Sequence, residues 1–161
     1  MATIKWLRSK GRRFDQYCVA NAAGRWHLEA IKEMRRSKAR GTDESSRARW
    51  SEDAVEKAAN RGHLEVVQWL RQNGCPWNSR TCEEAARGGH LEILKWVRSQ
   101  DPPCPWNEWT CSEAARGGHL DVLKWARSQD PPCPWNADTC SEAARGGHLE
   151  VLKFVRGQDP P

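Results

Sequence analysis

TCSEAARGGHLDVLKW, residues 110–125, recurs with few changes at 81–96 and at 139–154. A catalytic site needs its unusual residues once. The same stretch three times at a fixed interval indicates a stacked architecture, in which each unit buries its apolar face against the next copy. Working outward, residues 75–103, 104–132 and 133–161 align without a gap at a period of 29, each opening CPWN and closing QDPP. Upstream the units are degenerate but legible: Trp50 and His63 align with Trp77 and His90, Phe14 and His27 take the same two positions, and IKWLRSKG matches LKWVRSQD. The sequence therefore predicts one repeat domain over 1–161. It comprises a leading half-repeat at 1–11, a degenerate repeat at 12–47 with a basic loop over 34–49, and repeats at 48–74, 75–103, 104–132 and 133–161. Because Ile4–Ser9 reads as the second helix of the half-repeat, the basic, acid-free start of the chain is not read as a transit peptide.

Each unit states its own secondary structure. Thr81 with Glu84, Thr110 with Glu113 and Thr139 with Glu142 have capping-box spacing, so a helix is expected to start at each Thr. Along the first of these, Cys82, Ala85 and Ala86 fall at i, i+3 and i+4 and form a stripe of small residues that lets neighbouring helices approach closely. Gly88 and Gly89 end that helix. A second helix from about His90 to Ser99 carries the wide apolar face of Leu91, Ile93, Leu94, Trp96 and Val97, and Asp101-Pro102-Pro103 stops it.

The stretch AARGGHLEILKWV resembles the helix-turn-helix of the ankyrin repeat, with the usual Leu-His-x-Ala-Ala replaced by Cys82-Glu83-Glu84-Ala85-Ala86. The CPW and GHLEVLKW signatures are similar to the divergent ankyrin arrays of giant viruses, oomycetes and brown algae. The resemblance implies an all-α, ankyrin-like α-solenoid with a non-catalytic, protein-binding role. An ankyrin unit takes about 33 residues, and the missing four fall between helix pairs. The β-hairpins that normally project there are expected to be shortened or absent.

Composition bounds the partners. The net charge of +5 hides an asymmetry: residues 1–50 hold 13 Lys and Arg against 5 Asp and Glu, while 51–161 hold 13 against 16. No apolar run reaches the length of about 18 residues needed to span a membrane. The seven cysteines follow the repeat rather than a disulfide framework, and reduced thiols in an intracellular setting, cytoplasmic or nuclear, are expected.

No catalytic residue, metal or cofactor is expected. His63, His90, His119 and His148 are equivalents that stacking would set about 8–10 Å apart, so no single zinc could gather them. The expectation is that each imidazole ties its Gly-Gly turn to the following helix, with His27 doing the same. Equivalent cysteines are likewise too far apart to pair, a loop-to-helix pair being left open, and small buried thiols are the reading adopted. A Cys111–His119 nucleophile would recur in every unit with no third group to orient its base. Of the ten tryptophans, Trp50, Trp77, Trp106 and Trp135 form one column and Trp69, Trp96 and Trp125 another, with Phe14 and Phe154 completing them. Such columns are read as inter-repeat core. Trp6 fits the second column; Trp26 and Trp109 fit neither.

The regular units differ from one another mainly just before and early in the first helix, at Ser79-Arg80, Glu108-Trp109 and Ala137-Asp138, and at Glu83, Ser112 and Ser141. In an ankyrin-like stack this rim faces the concave side. Ser79, Arg80, Glu83, Glu108, Trp109, Ser112, Asp138 and Ser141 are therefore the candidate contacts for a protein partner, made by a monomer or by part of a larger assembly. The competing reading is a nucleic acid or an acidic or phosphorylated partner held by Lys10, Arg12, Arg13, Arg35, Arg36, Lys38 and Arg40. No recognised nucleic-acid motif accompanies those cations. Ser37, with two arginines before it, is a modification candidate in the same segment.

Overall fold

A computed structural model describes residues 16–38 and 51–158. The half-repeat at 1–11, Phe14, Trp50 and the part of the basic loop from 39 onward lie outside the described residues. Within them the chain forms ten helices and no strand: α1 (Gln16–Ala23), α2 (Leu28–Lys38), α3 (Glu52–Asn60), α4 (Leu64–Gln72), α5 (Ser79–Arg87), α6 (Leu91–Arg98), α7 (Glu108–Gly117), α8 (Leu120–Arg127), α9 (Ala137–Arg145) and α10 (Leu149–Gly157). They pair as α1–α2 through α9–α10, and the odd-numbered helices pack side by side in one continuous row. This is an all-α solenoid of helix pairs. The loops at 73–78, 99–107 and 128–136 run without strand structure.

Small residues make the row close-packed. Ala54, Ala58 and Ala59 on α3, Cys82, Ala85 and Ala86 on α5, and Cys111, Ala114 and Ala115 on α7 are fully buried between neighbouring helices. The even-numbered helices cover the row with larger side chains: Val66, Val67 and Leu70, then Ile93, Leu94 and Val97, then Val122 and Leu123, all buried. Burying one such aliphatic side chain stabilises the fold by roughly 1.5–3 kcal/mol, and the repeat multiplies the gain.

Two expectations about helix limits need correction. The first helix of a unit starts not at Thr but two residues earlier, capped by Asn: Asn78, Asn107 and Asn136 have extended backbones, and their side chains accept from the amides of Arg80, Trp109 and Asp138. Asn is as good a cap as Thr, and the extended CPWN segment already delivers it in the right conformation. Thr81 and Thr110 fall inside the first turn, where their hydroxyls are buried without a hydrogen-bond partner. Second, the loop expected from residue 34 begins later. α2 continues to Lys38 because Ile31 and Met34, one turn apart, both reach the core.

The GGH turn is an inter-repeat joint. His90 Nε2 lies 3.0 Å from the carbonyl oxygen of Asn60, His119 Nε2 3.0 Å from that of Arg87, and His148 Nε2 3.0 Å from that of Arg116. A carbonyl only accepts, so Nε2 carries the proton. Each histidine thus binds its turn to the preceding unit rather than to its own following helix. Space for the ring comes from two glycines. A Cβ on Gly88 would lie 2.5 Å from His90 Cδ2, and one on Gly62, in the preceding unit, 2.7 Å from His90 Cε1. Trp26 stands at the Gly62-equivalent position with φ 58. There the next ring, His63, is covered by stacking on Trp26 instead, with centroids 6.0 Å apart at 12°, and its bond to the Gly24 carbonyl lengthens to 3.3 Å.

Candidate interaction surface

The rim residues sit in the first turns of α5, α7 and α9. Arg80, Trp109 and Asp138 each occupy the second position of their helix, so on adjacent packed helices they form one row. All three are exposed, and Trp109 leaves 49% of its surface to solvent. Glu108 is half-buried and Ser141 exposed, its hydroxyl donating to the Ala137 carbonyl at 3.3 Å.

Ser79 and Glu83 have a structural task as well. Asn107 donates Nδ2 to Glu83 Oε1 at 3.0 Å and to Ser79 Oγ at 3.4 Å, so the rim of one unit fixes the cap of the next. Asn78 is fixed in the same way by Glu52 Oε2 at 2.7 Å. Asn136 donates instead to its neighbour Asp138 at 3.2 Å. Close by, burial raises the Glu56 carboxyl above the usual carboxylate range, against the opposing pull of Arg80. Ser112 does not belong to the surface. It is 1% exposed, lying between α7 and α9 with Oγ 3.2 Å from the Glu108 carbonyl and 3.4 Å from Thr139 Oγ1. A small side chain lets that position sink where Glu83 stays half-exposed.

At the other end of the same helices, charge is cancelled between units. Arg87 pairs with Glu84 at 2.7 Å and reaches forward to grip both oxygens of Glu113 at 2.8 Å. Arg145 pairs with Glu142 at 2.6 Å, and Arg116 lies 3.7 Å from Glu142. The Arg87 guanidinium holds the Glu113 carboxyl below the usual range, against the opposing effect of burial.

The tryptophan columns form a half-buried seam rather than a fully buried core. Trp77 meets Trp96 edge-on at 6.0 Å, Trp106 meets Trp125 at 6.0 Å, and Trp135 meets Phe154 at 6.2 Å. Each first ring also carries a guanidinium from the preceding unit: Arg71 over Trp77, Arg98 over Trp106 and Arg127 over Trp135, at 4.3, 4.1 and 4.3 Å. Arg98 and Arg127 also donate to the carbonyls of Cys104 and Cys133 at 2.6 and 2.8 Å. The sequence shows these arginines at the period of the repeat, a signal that could have found them.

Buried thiols lie along the same joints. Cys75, Cys104 and Cys133 donate to the carbonyls of Ser51, Asn78 and Asn107 in the preceding unit at 3.3–3.5 Å. All seven cysteines are thiols. Burial pushes Cys75 up to about 12. A hydrogen bond with Cys104, and then burial, raises Cys82; a hydrogen bond with Cys111, and then burial, raises Cys133. A nucleophilic cysteine needs the opposite, a thiolate at neutral pH.

Of the cations proposed for an acidic partner, Arg35 donates Nη1 to the Asn73 carbonyl at 2.8 Å and so tethers α2 to the end of α4. Lys10, Arg12, Arg13 and Arg40 lie outside the described residues, together with the side chains of Arg36 and Lys38. A different set converges instead. Asn21, Gly24, Arg25, Lys57, Asn60 and Arg61 line a hollow of about 290 Å³ between the C-terminal ends of α1 and α3. No described helix is long and apolar enough to cross a membrane.

No curated protein matches the chain. Residues 55–98, which run from α3 to the end of α6, match the family model described as Ankyrin repeats (many copies). That match is to ankyrin repeats in general and lends no support to the narrower likeness to viral, oomycete or algal arrays. Ankyrin repeats generally mediate protein–protein interaction, and the solenoid of helix pairs found here is ankyrin-like, with an ankyrin repeat identified at 55–98.

Proposed function

We propose that the chain is a non-catalytic, intracellular protein-binding scaffold, cytoplasmic or nuclear, whose repeats form one domain. It presents the rim of α5, α7 and α9, on the concave side of the stack, to a protein partner. Trp109 carries the reading. It belongs to neither aromatic column, it leaves about half its surface in water, and charges of opposite sign flank it at Arg80 and Asp138 in the adjacent units. An aromatic anchor with a charged surround has the composition of an interface hot spot, worth about 2 kcal/mol or more when a partner buries it. Arg80, Glu108, Asp138 and Ser141 complete the surface, while Ser79 and Glu83 contribute through their exposed parts. The raised thiols of Cys75, Cys82 and Cys133 and the inter-repeat bonds of His63, His90, His119 and His148 support a role without chemistry.

The test is Trp109→Ala. Proximity labelling identifies the partner, and its affinity for parent and variant is then measured alongside thermal stability. The variant should keep its stability within about 0.5 kcal/mol, as exposed sites do, and bind at least about tenfold more weakly. Unchanged affinity, or an unfolded variant, would remove the rim assignment.

A further inference from the structure

We infer that the hollow between α1 and α3 is a binding site for a phosphate monoester dianion, presented by a phosphorylated serine or threonine of a peptide. It is distinct from the Trp109 rim and does not depend on it. The lining holds three cations, Arg25, Lys57 and Arg61, with two amides and Gly24, and contains no acid. In the regular units this region is electrically balanced. Glu84, Glu113 and Glu142 stand where α3 has Lys57, and Gly88, Gly117 and Gly146 stand where it has Arg61. The first described units invert the pattern: the acid becomes Lys57 or Asn21, and the glycine becomes Arg61 or Arg25.

The cations could serve only to complement two helix C-termini. Each such terminus carries about half a negative charge, so α1 and α3 together offset about one of the three positive charges. About two remain. A phosphate monoester brings −1.5 to −2 at neutral pH, whereas a lone carboxylate would leave an excess. Glu84, the acid bonded to the lining residue Asn60, is engaged on both oxygens, by Asn60 Nδ2 at 2.9 Å and Arg87 at 2.7 Å. The terminal carbonyls are also occupied, Gly24 by His63 and Asn60 by His90, so neither presents a bare acceptor to an anion.

The cradle is built rather than incidental. Lys57 Nζ donates to Asn21 Oδ1 at 3.0 Å, which holds the ammonium across the gap and turns the Asn21 amide into a donor for a ligand. A Cβ on Gly24 would lie 3.3 Å from Lys57 Cβ, so glycine permits the two helix ends to come this close. At about 290 Å³ the hollow has room for a phosphate and the side chain that carries it.

The experiment is an amide-resolved NMR titration of the full chain with four probes: N-acetyl-O-phosphoserine amide, inorganic phosphate, N-acetylaspartate amide and AMP. The phosphoserine compound should give saturable shifts at Gly24, Arg25, Asn60 and Arg61, bind at least about tenfold tighter than the aspartate compound, and weaken as salt rises. Lys57→Gln and Arg61→Gln should each weaken it by about tenfold with the amides of α5 to α10 unmoved, and Lys57→Arg should retain binding. Trp109→Ala should bind this probe as the parent does, which separates this site from the rim. Absence of saturable shifts at those amides, equal binding by the aspartate compound, or unchanged binding in both glutamine variants overturns the proposal. Tighter binding of AMP or of inorganic phosphate overturns the peptide source.

Discussion

His119 donates Nε2–H to the carbonyl of Arg87, 3.0 Å away in the preceding unit, while its ring lies against Gly117 of its own unit and Gly89 of the one before. One side chain therefore caps a helix-end carbonyl and fills the seam between two turns. His119→Ala removes both, leaving a carbonyl short of a partner and a gap at the joint, and should cost about 2 kcal/mol in urea unfolding. His119→Gln, which can still donate, should recover part of that. Equal losses for the two would show that the ring packs but does not bond.

The same joint separates two otherwise equivalent glycines. Gly118 and Gly147 share a left-handed backbone, φ +77 and +72, but an added Cβ at Gly118 would meet His148 Nδ1 at 2.6 Å, whereas at Gly147 nothing lies within 4 Å. Alanine at Gly147 should cost only the backbone strain, about 1–2 kcal/mol. Gly118→Ala should cost at least about 1 kcal/mol more, because His148 must move. Thermal unfolding of the pair checks this, and equal melting temperatures would sink the packing role of the second glycine.

Asn107 and Thr110 contrast sharply in the same helix turn. Asn107 accepts from the Trp109 amide and is held by Glu83, so Asn107→Ala should destabilise by about 1–2 kcal/mol. The Thr110 hydroxyl is buried without a partner, and Thr110→Val, of the same shape, should be neutral or stabilising. If Thr110→Val lost about as much as Asn107→Ala, Thr would be the cap after all.

What the sequence makes legible is what repeats in it. The period, the helix pairs, the small-residue stripe and the glycine turn are written in spacing, and each recurs in the fold. The cap is not legible there, because Asn and Thr both favour that role and only the extended backbone of CPWN decides between them. The burial of Ser112 is hidden for a related reason: variation between units looks alike at exposed positions and at buried ones where a small residue suffices. The Arg25, Lys57 and Arg61 cluster is not visible in the sequence because Arg25 lies 32 and 36 residues before Lys57 and Arg61 in a separate degenerate unit, and only the stacking of α1 on α3 brings them together.

The Arg87–Glu113 bridge gives a pH dependence with a definite sign. The Glu113 carboxyl is lowered in the folded chain, chiefly by its bonds to Arg87, so the folded state binds that proton less readily than the unfolded one. The stabilisation is present above the unfolded carboxyl value of about 4.3 and is lost as pH falls through the lower folded value. The side chain of Arg87 is 44% exposed, which limits the effect to about 1 kcal/mol or less. Glu113→Gln should therefore unfold more easily than the parent at pH 7, and the difference should shrink as pH falls below about 4.3. A constant difference between the two down to pH 3 would exclude this linkage.

Trp106 joins two units through a cation and a second ring. The Arg98 guanidinium lies 4.1 Å from its ring on one side, and Trp125 meets it edge-on at 6.0 Å. The ring is half-buried, so Trp106→Ala should cost about 2–3 kcal/mol, less than a fully enclosed tryptophan. Arg98→Lys keeps the charge but gives up the planar stack and the guanidinium bond to the Cys104 carbonyl, and about 1 kcal/mol should go with them. If the stack itself holds the units together, the double variant should lose less than the sum of the two, by a coupling of about 0.5–1 kcal/mol. Strict additivity in urea midpoints would mean that Arg98 acts through the Cys104 carbonyl alone, and that the aromatic seam needs no cation above it.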